Sequence, residues 1–114
     1  MGTQGARVFT ATGAAAVAAT FDPHGPCTVL HMTYHGSGAV TTEENLTVTL
    51  DANAGAAYDT VLTSIDMNSE TDTQNVKWTP TNLVLANGDK LAIAFPNTET
   101  RTYGLQIYYK PYVD

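Results

Sequence analysis

Glu44-Asn45-Leu46-Thr47-Val48-Thr49-Leu50-Asp51 carries an apolar residue at every second position. Successive strand side chains point to opposite faces, so Leu46, Val48 and Leu50 share one face and Thr47 and Thr49 the other. Such a segment is a half-buried β-strand. The same pattern recurs on both sides of it. Residues 27–34 put Leu30, Met32 and Tyr34 on one face and Val29, His31 and Thr33 on the other, with apolar residues on both, which marks a central strand. Residues 58–66 oppose Val61, Thr63 and Ile65 to Thr60, Leu62 and Ser64. Short strands follow at 76–78 and 83–85. Leu91, Ile93 and Phe95 point inward from residues 90–95, and residues 102–110 put Tyr103, Leu105, Ile107 and Tyr109 on one face and Gln106, Tyr108 and Lys110 on the other.

The punctuation between these segments is that of an all-β chain. Asp22-Pro23-His24-Gly25-Pro26, His35-Gly36-Ser37-Gly38 and Asp51-Ala52-Asn53-Ala54-Gly55 are loops, and residues 68–75 form the longest one. Asn87-Gly88 supplies the positive φ values of a tight hairpin between 83–85 and 90–95. With about seven to eight strands and turn signals roughly every ten residues, the expected fold is an antiparallel β-sandwich, jelly-roll-like in layout. Parallel strands would need crossover helices for which there is no room.

The first 26 residues differ in character. Glycines and an alanine run dominate, with only Val8, Phe9, Val17 and Phe21 as larger anchors. The alanines are too few to nucleate a helix alone. The reading is a single domain over 1–114, in which 1–26 forms a small-residue arm and a first strand, the arm being free to reach a neighbouring subunit. The run at 14–19 is too short for a signal-peptide core, so the mature chain is expected to start at or next to Met1.

Composition narrows the function. At 114 residues, the chain can bury a core without a disulfide or a metal. Cys27 is the only cysteine, which rules out an intramolecular disulfide and suits a small hydrophobe inside a strand. Eleven acidic residues face five basic ones, the latter scattered at 7, 77, 90, 101 and 110, so no basic stripe exists to neutralise phosphates. Direct nucleic-acid binding is therefore not expected. Nor is a membrane span, since no apolar run reaches about 18 residues.

Candidate chemistry is sparse. His31 and His35 lie four apart, which along a strand is roughly 13 Å and too far for one zinc ion. Residues 51–62 begin like a calcium loop, but Gly55, Ala56 and Leu62 occupy positions five, six and twelve, where the motif needs an oxygen ligand, glycine and glutamate. No metal or cofactor is expected. Asp59 and Asp66 fall on opposite faces of one strand, and Ser64 has no nucleophile elbow around it. The expectation is a protein that is not an enzyme. Asn45-Leu46-Thr47 fits a glycosylation sequon, but one at a strand start. Tyr108, Tyr109, Pro111 and Tyr112 cluster near the C-terminus, where Tyr109 suits the core and the others suit either a sandwich edge or an interface. Val8, Phe9, Phe21, Tyr108 and Tyr112 are the candidate interface residues.

Several segments taken in order carry a family resemblance: Val29-Leu30-His31-Met32, Thr42-Glu43-Glu44-Asn45-Leu46-Thr47-Val48-Thr49-Leu50-Asp51, Ala57-Tyr58-Asp59-Thr60-Val61-Leu62, Leu85-Ala86-Asn87-Gly88-Asp89-Lys90-Leu91 and Thr102-Tyr103-Gly104-Leu105. Over residues 27–110 the chain resembles small β-sandwich virion proteins of tailed bacteriophages. The resemblance implies a non-enzymatic structural role, as a capsid cement or decoration protein that binds the major capsid protein as a homotrimer. It places the protein on the capsid exterior, and in the host cytoplasm during assembly. The alternative carried by the tyrosines is a glycan- or receptor-binding module of a tail or fibre.

Overall fold

The computed structural model describes residues 5–69 and 75–112. Within them, nine strands run β1 (Arg7–Gly13), β2 (Val17–Phe21), β3 (Cys27–Gly36), β4 (Asn45–Asp51), β5 (Thr60–Asp66), β6 (Val76–Trp78), β7 (Leu83–Leu85), β8 (Lys90–Phe95) and β9 (Tyr103–Pro111). Single 3₁₀ turns at Ala56–Tyr58 and Met67–Ser69 flank β5. All the pairings are antiparallel. One sheet, here sheet A, has the order β1-β9-β3-β6 with β7 also on β3, and sheet B has the order β2-β8-β4-β5. The two pack face to face as a β-sandwich.

The pairing is nested. β1 pairs β9, β2 pairs β8, β3 pairs β7 and β6, and β4 pairs β5, as though one long hairpin had been folded over on itself. Alternation along each strand fills the space between the sheets. Sheet A contributes Met32, Tyr34, Leu85, Leu105 and Ile107, and sheet B contributes Phe21, Leu46, Val48, Leu91, Ile93 and Phe95, all essentially inaccessible to solvent. Tyr34 crosses from one sheet to meet Phe95 of the other edge-on, with ring centroids 6.0 Å apart. Each such side chain contributes roughly 1.5–3 kcal/mol on burial. Cys27 is buried at the start of β3, and its thiol is pushed up to about 11 by desolvation.

Four details depart from the sequence reading. Residues 7–21 are not an arm with one strand. They form β1 and β2, one in each sheet, because Phe21 is fully buried and Phe9 packs on it at 5.5 Å, with Tyr109 completing the cluster at 4.8 Å. Leu30 does not share a face with Met32 and Tyr34. A bulge sets Leu30 and His31 of β3 against Tyr108 alone, so both turn outward and Val29 and Met32 both turn inward. A second bulge, between β4 and β5, leaves Val61 outside and exposed while Leu62 and Ile65 pack on the core.

The fourth departure concerns Asn87-Gly88, which does not close a hairpin. β7 pairs in sheet A and β8 in sheet B, so the turn carries the chain from one layer to the other. Asp89 secures it by accepting from the amides of Ala86 and Asn53, both at 2.9 Å. Gly88 has φ +90°, and a Cβ there would fall 2.5 Å from Cγ of Asn53, so both conformation and space call for glycine.

Candidate functional site

The outer face of sheet A assembles side chains from both ends of the chain. Antiparallel register lines up Val8, Tyr108 and His31 across β1, β9 and β3. The His31 and Tyr108 rings stack with centroids 4.3 Å apart. In the adjoining row Val84, Thr28 and Lys110 stand side by side, and the Thr28 hydroxyl donates to the Tyr112 hydroxyl at 3.0 Å. Leu30, turned out by its bulge, lies between these rows. Val8, Leu30, Val84 and Tyr112 are four of the six large apolar side chains exposed among the described residues, and they gather at one end of one face. Tyr58 and Val61, the other two, lie on or beside β5.

Further along the same face the surface turns polar. Thr10, Gln106, Thr33 and Lys77 form one row, and Thr12, Gly104 and His35 the next. Gly104 has no side chain, and a shallow depression of about 280 Å³ opens there. The strand positions of this face include Lys77 and Lys110 and no carboxylate, although the chain carries a net charge of −6. The outer face of sheet B is flatter. Its two central rows, Ala18, Ala94, Thr47 and Ser64, then Thr20, Ala92, Thr49 and Val61, hold no side chain larger than valine and none charged, while Asn45 and Asp66 flank them on one side and Asp51 and Lys90 on the other.

Of the five candidate interface residues, Val8, Tyr108 and Tyr112 lie on the outer face of sheet A. Phe9 and Phe21 do not join them: both face inward and hold β1 and β2 to β9. The remaining candidates are dispersed. His31 is stacked on Tyr108, His35 Nδ1 pairs with Asn75 Oδ1 at 2.7 Å, and His24 lies 3.5 Å from Asp22 in the 22–26 loop. Asp59 caps the 51–55 loop by accepting from the Ala52 amide at 2.9 Å, Asp66 accepts from the Asn68 amide at 3.0 Å, and Ser64 accepts from Asn45 at 2.7 Å. Among the described residues no three His, Cys, Asp or Glu side chains are grouped to hold a metal ion. No helix among them is long and apolar enough to cross a membrane.

One end of the sandwich is built from interlocking carboxylates. Glu99 accepts from the backbone amides of Thr42 and Thr41 at 2.7 and 2.8 Å, and Arg101 lies 3.3 Å from its other oxygen. Hydrogen bonds from Thr42 first and Thr41 second, with the Arg101 charge beyond them, hold the Glu99 carboxyl below its ordinary value. Glu44 returns the contact by accepting from the amide and hydroxyl of Thr98. Beneath them Asn97, buried and in the left-handed region at φ 50°, donates to the carbonyls of Ala15 and Arg101 at 2.9 Å and accepts from the Arg101 amide at 3.0 Å.

Residue type had singled out the tyrosines and Val8 but not Leu30, Val84, Gln106 or Gly104. Leu30 reads as core by alternation, and nothing local announces its bulge. No protein-family model matches the chain, and no curated protein matches it.

Proposed function

We propose that this chain is a non-enzymatic virion structural protein, a cement or decoration subunit that binds between major capsid protein subunits of a tailed bacteriophage head. The observation that carries this reading is the band on the outer face of sheet A in which exposed Val8, Leu30, Val84 and Tyr112 surround half-buried Tyr108. Contiguous apolar and tyrosine-rich surface on a rigid sheet is the signature of a protein contact. An interface of standard size needs roughly 800 Å² from each partner, and one face of a sandwich this size can supply it. The flat centre of sheet B, rimmed by Asp51, Lys90 and Asp66, offers a second surface for neighbours, which a subunit bridging others in a shell requires. The nested strand pairing supports reading the sandwich as a jelly roll whose sixth strand is broken into β6 and β7.

In this reading the subunit acts as a trimer on the capsid exterior, and it stabilises the shell because it binds the assembled state better than free subunits. The test is mass spectrometry of purified particles, counting this chain against the major capsid protein, together with re-addition of the purified protein to stripped capsids. Sub-stoichiometric presence or failure to rebind would remove the cement role.

A further inference from the structure

We propose that the depression above Gly104 is a binding site for a neutral hexose unit of a glycan. Gly104 lies inside β9, with β1 and β3 paired on either side of it. Glycine in a strand interior weakens the sheet and often marks a place where something approaches the backbone closely. The usual internal reasons for keeping it do not apply here. Gly104 is not among the residues of positive φ, and a Cβ built on it meets no heavy atom within 4 Å. Gly88, by contrast, satisfies both conditions. The fold itself therefore has no use for glycine at 104. What the missing side chain does create is the depression of about 280 Å³, large enough for a single pyranose ring.

The rim supplies oriented groups of both hydrogen-bonding senses. Gln106 accepts at Oε1 from the hydroxyls of Tyr108 at 3.3 Å and Thr33 at 3.5 Å, which turns its NH₂ group away from them. That NH₂ has no partner among the described residues. His35 Nδ1 hydrogen-bonds Asn75 Oδ1, an acceptor, so in the neutral ring Nε2 can accept from a ligand. Thr12 donates to the Tyr103 carbonyl at 2.7 Å and keeps its oxygen free to accept. Gln106 and His35 are diagonal neighbours on paired strands, their Cα atoms roughly 7–8 Å apart. Two such side chains can engage neighbouring hydroxyls of one pyranose, since each hydroxyl can accept from Gln106 or donate to His35. The depression is lined by no carboxylate, lysine or arginine, which matches an uncharged ligand. The Tyr108 ring, stacked on His31, lies one row beyond Gln106, about 7 Å along β9, where an adjoining sugar would extend.

This site is independent of the assembly reading, because it is tested on the isolated full chain. The measurement is a titration of ¹⁵N-labelled protein with maltose, cellobiose and lactose, followed by nuclear magnetic resonance. Saturable shifts at the Gly104 amide, the Gln106 side-chain NH₂ and His35 are expected with at least one of the three. Gly104→Val should weaken that binding by about tenfold or more while the melting temperature holds or rises, since valine suits a strand and has room. Gln106→Met, which keeps the shape and removes the NH₂, should weaken it as well. Absence of saturable shifts with all three sugars, shifts confined to the Val84 and Tyr112 end, or unchanged binding by both variants would each overturn the proposal.

Discussion

Glu44 and Glu99 hold each other's loops. Glu99 reaches from the 97–101 turn to the amides of Thr41 and Thr42, and Glu44 reaches from the 37–44 loop to Thr98. These segments lie more than fifty positions apart in the sequence, and the exchange closes one end of the sandwich above buried Asn97.

This clasp should loosen in acid. The Glu99 carboxyl titrates below its ordinary value of 4.5, so its contribution is fully present above that value and is lost as the pH falls through the lower value of the folded state. Hydrogen exchange at the Thr41 and Thr42 amides should speed up in acid before the core strands lose protection. Glu99→Gln should melt at a lower temperature than the parent protein at pH 7, and the difference should vanish in acid, where the parent carboxyl is itself neutral. A constant difference across the range would contradict this assignment.

Phe21 is the anchor of the N-terminal strands. Phe21→Ala should cost about 3–5 kcal/mol, read from urea midpoints, because the cavity lies between Phe9, Tyr109 and the core. Deleting residues 2–13 removes β1 from sheet A and should destabilise the whole domain, not merely detach an arm. A truncated chain with the parent melting temperature would show that β1 is dispensable.

The thiol of Cys27 should be silent in the folded protein. With its value raised to about 11, only about one molecule in a thousand is ionised at pH 8, and the side chain is inaccessible. Iodoacetamide should leave the native protein unmodified over hours and alkylate it fully in denaturant. Labelling of the native form at the unfolded rate would place Cys27 outside the core.

Charge on the apolar band should separate assembly from folding. Val8→Asp and Val84→Asp alter exposed positions and should change stability by about 0.5 kcal/mol or less each. The same pair should abolish trimer formation and capsid attachment in sedimentation. Retained attachment would direct attention to the flat face of sheet B.

Much of this architecture is written locally. Leu46, Val48 and Leu50 alternate with threonines, and that period of two belongs to the strand whatever surrounds it, so the all-β class and most inward residues were legible. So was the burial of Cys27. The bulge at Leu30 was not, because it arises from how β3 meets β9, and alternation continues unbroken through the residues themselves. Asn87-Gly88 shows the same limit: its turn chemistry is local, but whether the next strand pairs in the same sheet depends on β2 and β4. Residue type alone chose Val8, Phe9, Phe21, Tyr108 and Tyr112. Only the pairing of β1 with β9, across a separation of one hundred residues at Val8 and Tyr108, turned Val8 outward beside Tyr108 and Phe9 inward onto Phe21. Side-chain periodicity is a property of each strand, whereas register and the sharing of a face are set by which strands close the core together.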